Sequence, residues 1–371
     1  MKMLAAQYTQ GAPEGQNFAV REVERPTIGP DELLLRVQAC SICGTDLKIV
    51  GNGHRKLRDG QTITLGHEFV GTIEEVGSRL TGFAEGDRVG VAPNSGCGRC
   101  GMCMRGMGNM CATFTAFGID GDGAHTEFVR IPAAAISQGN VIPLSDGMPW
   151  ELATLAEPLS CVVNAQRGLN IETGETVLVY GAGPMGLLNV MLAAAAGATR
   201  LIVVDLKDER LAAAKKCGAT QTINSSKTPV KEVLAEGEVD VVVTAVPVPQ
   251  LQQEAMALLG PFGRLCLFAG WAKGTNGVPL DTNPIHYKNL IVTGATGGSA
   301  RDYATALRLI SSGKVDVSKI ISDVFTLEEL DEAYAAAMSG EVMKVVMVAE
   351  KTAAMRAFSQ NGKAVAEGST R

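Results

Sequence analysis

The segment Gly181-Ala182-Gly183-Pro184-Met185-Gly186 constrains the fold more than any other part of the chain. It follows an apolar run of strand length, residues 176–180, and opens an alanine-rich stretch of helical length, 184–196. In this spacing the first glycine makes a tight turn, the second lets the backbone approach a pyrophosphate, and the third lets helix and strand pack closely. The helix N-terminus then offers unpaired N–H groups and partial positive charge to the phosphates. Asp205 ends the next apolar run, 19 residues beyond Gly186. A carboxylate there accepts hydrogen bonds from the adenosine ribose and repels a 2′-phosphate, so NAD is expected rather than NADP. Arg210 follows, able to stack on adenine or to tolerate a phosphate. The expected cofactor-binding set is therefore Gly181, Gly183, Pro184, Met185, Gly186, Asp205 and Arg210. A βαβ unit that binds no nucleotide is the plainer alternative.

Strand-length runs at 200–205, 239–244, 263–268 and 289–293 alternate with helical stretches such as 209–217. This alternation predicts a parallel, doubly wound α/β sheet with helices on both faces over residues 156–295. The first part of the chain reads differently. Short β-branched runs at 32–39, 68–76 and 87–92, punctuated by Gly29-Pro30-Asp31 and Glu85-Gly86-Asp87, predict a β-rich domain over 1–155. Helices are expected at 301–312 and 327–338 and a closing strand at 344–348. Residues 350–371 lose any pattern and read as a tail, loosely helical or disordered.

Four of the nine cysteines, Cys97, Cys100, Cys103 and Cys111, crowd into one short segment. Such C-x-x-C spacings let one chain wrap a tetrahedral ion, and four thiolates leave no open position, so a structural zinc is expected. An iron–sulfur cluster or four unligated thiols would be the other uses. A second set is dispersed: Cys43, His67, Glu68 and Glu157. One thiolate, one imidazole and carboxylates make a mixed site with room for water or substrate, which is what catalytic zinc requires. Cys40, Cys161, Cys217 and Cys266 lie in apolar strings and are expected as packed thiols. His125 and His286 are expected as core or surface residues, and Trp150 and Trp271 as packing residues.

The formal net charge of −6 argues against a general nucleic-acid binder or anionic-membrane binder. The apolar stretch 187–198 is too short to span a bilayer, and no apolar leader follows Met1, so a cytoplasmic chain is expected.

Taken together, Cys-Gly-Thr-Asp at 43–46, Gly-His-Glu at 66–68, the cysteine loop at 97–111, Glu-Pro-Leu-Ser-Cys at 157–161 and the glycine loop at 181–186 resemble the zinc-dependent medium-chain alcohol dehydrogenases. The likeness is to their sorbitol (polyol) and threonine dehydrogenase branch and covers nearly the whole chain. It implies a β-rich GroES-like catalytic domain over 1–155, completed by 296–349, around a Rossmann-type domain. It implies two zinc ions per chain, with Cys43 and His67 on the catalytic one and Glu68 or Glu157, or each in turn, completing the shell. It implies that Thr45 takes the substrate proton and that the chain is a homo-oligomer, dimer or tetramer. One departure is Lys48, where the branch usually has a relay histidine; His54 or the cofactor ribose are the other routes.

The expected function is NAD-linked oxidation of a secondary alcohol on a polyol, sugar or sugar phosphate. L-Threonine 3-dehydrogenase is the alternative within the enzyme class, and a non-catalytic NAD-binding zinc protein is the alternative outside it. The loop Gly53-His54-Arg55-Lys56-Leu57-Arg58 adds an expectation of an anionic substrate, because arginine forks suit phosphate and carboxylate.

Overall fold

The computed structural model describes all residues except 272–273, 353–354, 356–357 and 359–371. The expectation for the tail therefore falls almost wholly outside the described residues. The chain forms two compact units. One holds Met1–Glu157, Gly298–Ser311 and the segment from Ile321 onward; the other holds Pro158–Gly297 and Ser312–Ile320. Residues 312–320, expected within the returning leg of the first domain, belong to the second unit.

The second unit is built on a six-stranded parallel sheet. Its order is Gln221–Asn224, Arg200–Asp205, Thr176–Tyr180, Val239–Thr244, Leu259–Leu267, Ile291–Gly294. Numbered from Thr176–Tyr180 this is the order 3-2-1-4-5-6 of the doubly wound dinucleotide folds, and the direction of winding reverses beside the first strand. The central strands are apolar through most of their length because helices cover both faces: Val177, Leu178, Val179, Val241, Val242 and Val243 are all fully buried. The strand expected at 263–268 starts earlier, at Leu259. Its pairing slips between Val239 and Val241, and Phe262 adopts a left-handed φ of 61° at that break.

In the first unit a larger sheet runs Val141–Pro143, Arg88–Val91, Glu68–Val76, Leu33–Ser41, Lys344–Val348, Ile321–Thr326, with Phe128–Ile131 also pairing Leu33–Ser41. A smaller sheet joins Lys2–Thr9 to Phe18–Glu24 and Thr62–Thr64. Two large apolar clusters, centred on Leu33, Phe69 and Ile131 and on Ile49, Leu65 and Tyr334, and a smaller one of Met3, Leu34 and Phe128 pack this unit.

Two helices that position functional residues had no clear sequence signal. Gly44–Asn52 begins with glycine and ends at a Gly-Asn-Gly run, which reads as loop. Ala156–Leu169 carries Pro158 in its first turn, where proline costs little because the N–H it lacks has no helical partner. The helix expected at 327–338 opens with a 3-10 turn, Leu327–Glu329, and continues as Leu330–Ser339. Among the described residues, no helix is long and apolar enough to cross a membrane.

Candidate functional site

Cys43 closes the end of the Leu33–Ser41 strand and caps the helix Gly44–Asn52. Its Sγ accepts from the Thr45 N–H at 3.4 Å, and its own N–H donates to Asp46 Oδ2 at 2.8 Å. The thiolate is the form of a cysteine that binds metal. Gly66 has φ 93°, and a Cβ there would lie 2.5 Å from the His125 ring, so only glycine lets the following His67 turn inward.

Cys43 Sγ, a His67 ring nitrogen and a Glu68 carboxylate oxygen all lie within 4.8 Å of one another. His67 Nδ1 is 3.3 Å from Asp46 Oδ1, and Asp46 is fully buried. The contact is an ion-pair approach without hydrogen-bond geometry, so His67 Nδ1 is buried with no hydrogen-bond partner and the ring keeps a nitrogen available to a metal. Burial pushes the Asp46 carboxyl upward, but the His67 ring and the Cys43 N–H outweigh it and hold it near about 2. Glu157 lies in the first turn of Ala156–Leu169 and is buried. Burial raises its carboxyl to about 7, with Glu68 and Asp46 adding to the rise and His67 and Lys344 opposing it. Among the described residues it is not within the 4.8 Å group. The donors thus fit a divalent ion of intermediate softness, with Cys43, His67 and one carboxylate able to hold it.

Thr45 is partly exposed beside Cys43, whereas Lys48 is exposed one turn on. The helix Gly44–Asn52 is about 13 Å long at about 1.5 Å per residue, and His54 and the rest of the basic loop follow its far end. The loop is also less cationic than its sequence. Lys56 Nζ donates to Asp120 Oδ2 at 2.6 Å and to the Phe114 carbonyl at 2.8 Å. Burial and its cationic neighbours lower the His54 pKa. Arg55 and Arg58 remain exposed.

Cys97, Cys100, Cys103 and Cys111 converge, each with its sulfur within 4.8 Å of the others. Gly98 takes φ 75° at the turn, and Gly96 must be glycine because a Cβ would meet Cys103 Sγ at 2.4 Å. Hydrogen bonds from Thr113 and the Cys97 N–H lower Cys111 to about 6, while burial lifts Cys103 to about 11. The four sulfurs can hold one tetrahedral ion.

In the second unit Gly181 has φ 97°, and a Cβ on Gly186 would meet the Gly181 carbonyl at 1.8 Å, whereas one on Gly183 would meet nothing within 4 Å. The space at Gly183 lies at the N-terminus of Pro184–Ala196, where a phosphate is stabilised. Asp205 Oδ2 accepts from the Ala182 N–H at 2.8 Å, and its Oδ1 accepts from Leu206 and Lys207 N–H groups at 2.8 and 3.0 Å. Met185 and Arg210 lie in the first turns of Pro184–Ala196 and Asp208–Lys216.

Residues 29–143 match the alcohol dehydrogenase GroES-like domain and residues 184–312 the zinc-binding dehydrogenase domain. The chain is a zinc-dependent medium-chain alcohol dehydrogenase. It is 35% identical over 355 residues to L-threonine 3-dehydrogenase of Pyrococcus horikoshii, covering 94% of this chain and 99% of the relative. A Sinorhizobium meliloti chain classed as a zinc-binding dehydrogenase and bound to NADP superposes with a TM-score of 0.85 at 30% identity, covering 94% of this chain and 99% of that one. Galactitol-1-phosphate dehydrogenase from Escherichia coli superposes at 0.79 with 28% identity, covering 94% and 100%. This dehydrogenase is accordingly an oxidoreductase acting on CH–OH groups.

The sequence reading missed three residues of the site: Asp46, and Ser41 and Lys344, which both engage the Glu68 carboxylate, Ser41 through its hydroxyl and Lys344 through Nζ at 2.7 Å from Oε1. The Asp46 signal was its place two residues after Thr45-flanking glycine in Cys-Gly-Thr-Asp, short enough to fold back on Cys43. Lys344 heads an otherwise apolar buried strand, Lys-Val-Val-Met-Val, and a charge there demands a partner. His125, read as core or surface, is fully buried, with Nδ1 3.0 Å from the Tyr334 hydroxyl. Cys40, Cys217 and Cys266 are packed thiols, while Cys161 is partly exposed. His286 is exposed, and Trp150 carries the Arg88 guanidinium over its ring at 4.0 Å.

Proposed function

We propose that this dehydrogenase oxidises a secondary alcohol of a small polyol, sugar or sugar phosphate to the ketone, with NAD accepting the hydride. The observation that carries the reading is the convergence of Cys43, His67 and Glu68 within 4.8 Å, over a buried Asp46. Zinc held there supplies Lewis acidity that lowers the pKa of an alcohol, and NAD supplies the electron-pair acceptor. Cys43 and His67 hold the ion, with Glu68 or Glu157 as third donor. Asp46 orients His67. Thr45, partly exposed beside Cys43, takes the alcohol proton outward. Gly181, Gly183 and Gly186, with the N-terminal turn of the following helix (Pro184 and Met185), cradle the pyrophosphate, and Asp205 and Arg210 bind the adenosine end. The four-cysteine lobe holds a second, structural zinc.

A donor set with carboxylates supports a polar substrate, as does the likeness to galactitol-1-phosphate dehydrogenase. L-Threonine is the second reading, favoured by the named Pyrococcus relative. In both classes the reacting carbon neighbours a carbon bearing another polar group. An anionic substrate would meet Arg55 and Arg58 only at its far end. A homo-oligomer is supported by the open edge strand Ile291–Gly294, beside which Phe262, Tyr287 and Ile291 are exposed; a monomer by light scattering would contradict it.

The deciving comparison is kcat/KM for sorbitol, xylitol, galactitol, galactitol 1-phosphate and L-threonine, each with NAD and NADP. The proposal expects turnover of polyols or their phosphates with NAD preferred. Turnover of threonine alone moves the assignment to the second reading. Cofactor binding without turnover of any of the five would contradict both readings of the substrate.

A further inference from the structure

The helix Gly44–Asn52 carries Thr45 in its first turn and Lys48 three residues later. Residues three apart on a helix are neighbours, with Cβ atoms about 5–6 Å apart. The helix buries Asp46 and Ile49, whereas Thr45 is partly buried and Lys48 is exposed. Thr45 and Lys48 therefore lie one turn apart along its accessible side, beyond the capping Cys43 whose Sγ accepts from the Thr45 N–H. A lysine ammonium stands on a flexible four-carbon stem, so it can approach a group bound beside Thr45. The other cations of this region are committed or more distant. Lys344 is engaged by Glu68 and Lys56 by Asp120. Arg55 and Arg58 come after the far end of the helix. Among the described residues Lys48 makes no ion pair, so its charge is uncompensated.

The two substrate readings share one chemistry. A sugar phosphate and L-threonine each carry an anion, phosphate or carboxylate, besides the hydroxyl to be oxidised; a free polyol carries none. We propose that Lys48 is a specificity-determining residue: it receives the anionic group of the substrate while the alcohol lies at Thr45 and the metal centre. The inference rests on the proposed reaction at Cys43, His67 and Thr45, and it narrows the substrate to an anionic secondary alcohol. It also moves the anion from the loop 53–58 to a point one helical turn from Thr45. Lysine acts as a point charge without the fixed fork of arginine, so the contact selects for charge and suits either anion.

The test uses the full zinc-loaded chain and its Lys48→Met, Lys48→Arg and Lys48→Glu variants. kcat and KM are measured separately for two pairs: galactitol 1-phosphate against galactitol, and L-threonine against L-threonine amide. The readout is the ratio of kcat/KM for the anion over its counterpart without that anion. Lys48→Met should lower this ratio about 10-fold or more through KM, as loss of a charge-assisted contact does. Lys48→Glu should lower it further, and Lys48→Arg should keep it within a few-fold of wild type. Salt should raise the KM of the anionic substrate in wild type and leave it nearly constant in Lys48→Met. The pair that responds tells phosphate from carboxylate. A ratio unchanged in both pairs overturns the proposal, and so does a wild type that prefers the uncharged member of each pair. An equal loss of kcat on every substrate, as a proton-relay or structural lysine would give, also overturns it, as does a rise confined to the KM of NAD. Should the variants fail to fold, a wild-type KM for the anion that does not respond to salt overturns it as well. A Cys43→Ser chain that keeps full turnover would instead refute the reaction on which the inference rests.

Discussion

Gly183 and Gly186 stand three residues apart and are glycine for different reasons. A side chain at Gly186 would collide with the Gly181 carbonyl, so the fold itself forbids it; a side chain at Gly183 would enter open space. Gly186→Ala should therefore lower thermal stability, by roughly 1–3 kcal/mol as overpacking does. Gly183→Val should melt near wild type and yet lose NAD binding by fluorescence titration. Equal NAD affinity in Gly183→Val would mean that no phosphate approaches there. The glycines were legible because their spacing is local. So were the four clustered cysteines. Cys43, His67 and Glu68 could be named only as a set, since nothing local brings residue 43 to residue 67. Lys344 was not legible at all, because its partner lies 276 positions away and only strand pairing joins them.

Among the elements, the polar edge strand Gln221–Asn224 of the parallel sheet was not expected, while the other five of its six strands announced themselves as apolar runs, because burial on both faces removes the polar alternation. The helices Gly44–Asn52 and Ala156–Leu169 did not, since glycine and proline at their starts read as breaks although both are tolerated in a first turn. The end of the second helix is held by Arg264 from the neighbouring sheet. Its guanidinium donates to the Leu169 and Asn170 carbonyls at 2.9 and 3.1 Å and bidentately to Glu175 at 2.7 and 2.6 Å. Arg264→Met removes these bonds and should cost roughly 2–3 kcal/mol near neutral pH by denaturant unfolding. The pH dependence follows from Glu175. Burial raises its carboxyl, but Arg264 outweighs this and leaves its pKa below the ordinary 4.5. A depressed folded pKa gives stability that is present above the unfolded value and lost as pH falls below it. The gap between wild type and Arg264→Met should thus narrow below pH 4.5. A gap constant down into acid would show that the carbonyl bonds alone hold the helix end.

At the scale of the whole molecule, the α/β unit could be read from the alternation of its runs, whereas the strand order and the winding reversal beside Thr176–Tyr180 come only from the structure. The composition of the first unit could not be read. Its sheet takes Leu33–Ser41 and Glu68–Val76 from one end of the chain and Ile321–Thr326 and Lys344–Val348 from the other, and no periodicity reports a pairing such as Val346 with Ser41. Family resemblance supplied that closure; local propensity did not. The same closure completes the candidate metal site, because Lys344 arrives with the last strand. The central claim is that a zinc ion at Cys43 and His67 is needed for alcohol oxidation while the second zinc is not. The most direct measurement is NADH formation from the best substrate as a chelator removes zinc in steps, with zinc content counted at each step and then restored. The account predicts that activity disappears with loss of one zinc per chain, returns on its restoration, and is absent from Cys43→Ser, which still binds NAD. Full activity in a chain stripped of the Cys43-site zinc would contradict it.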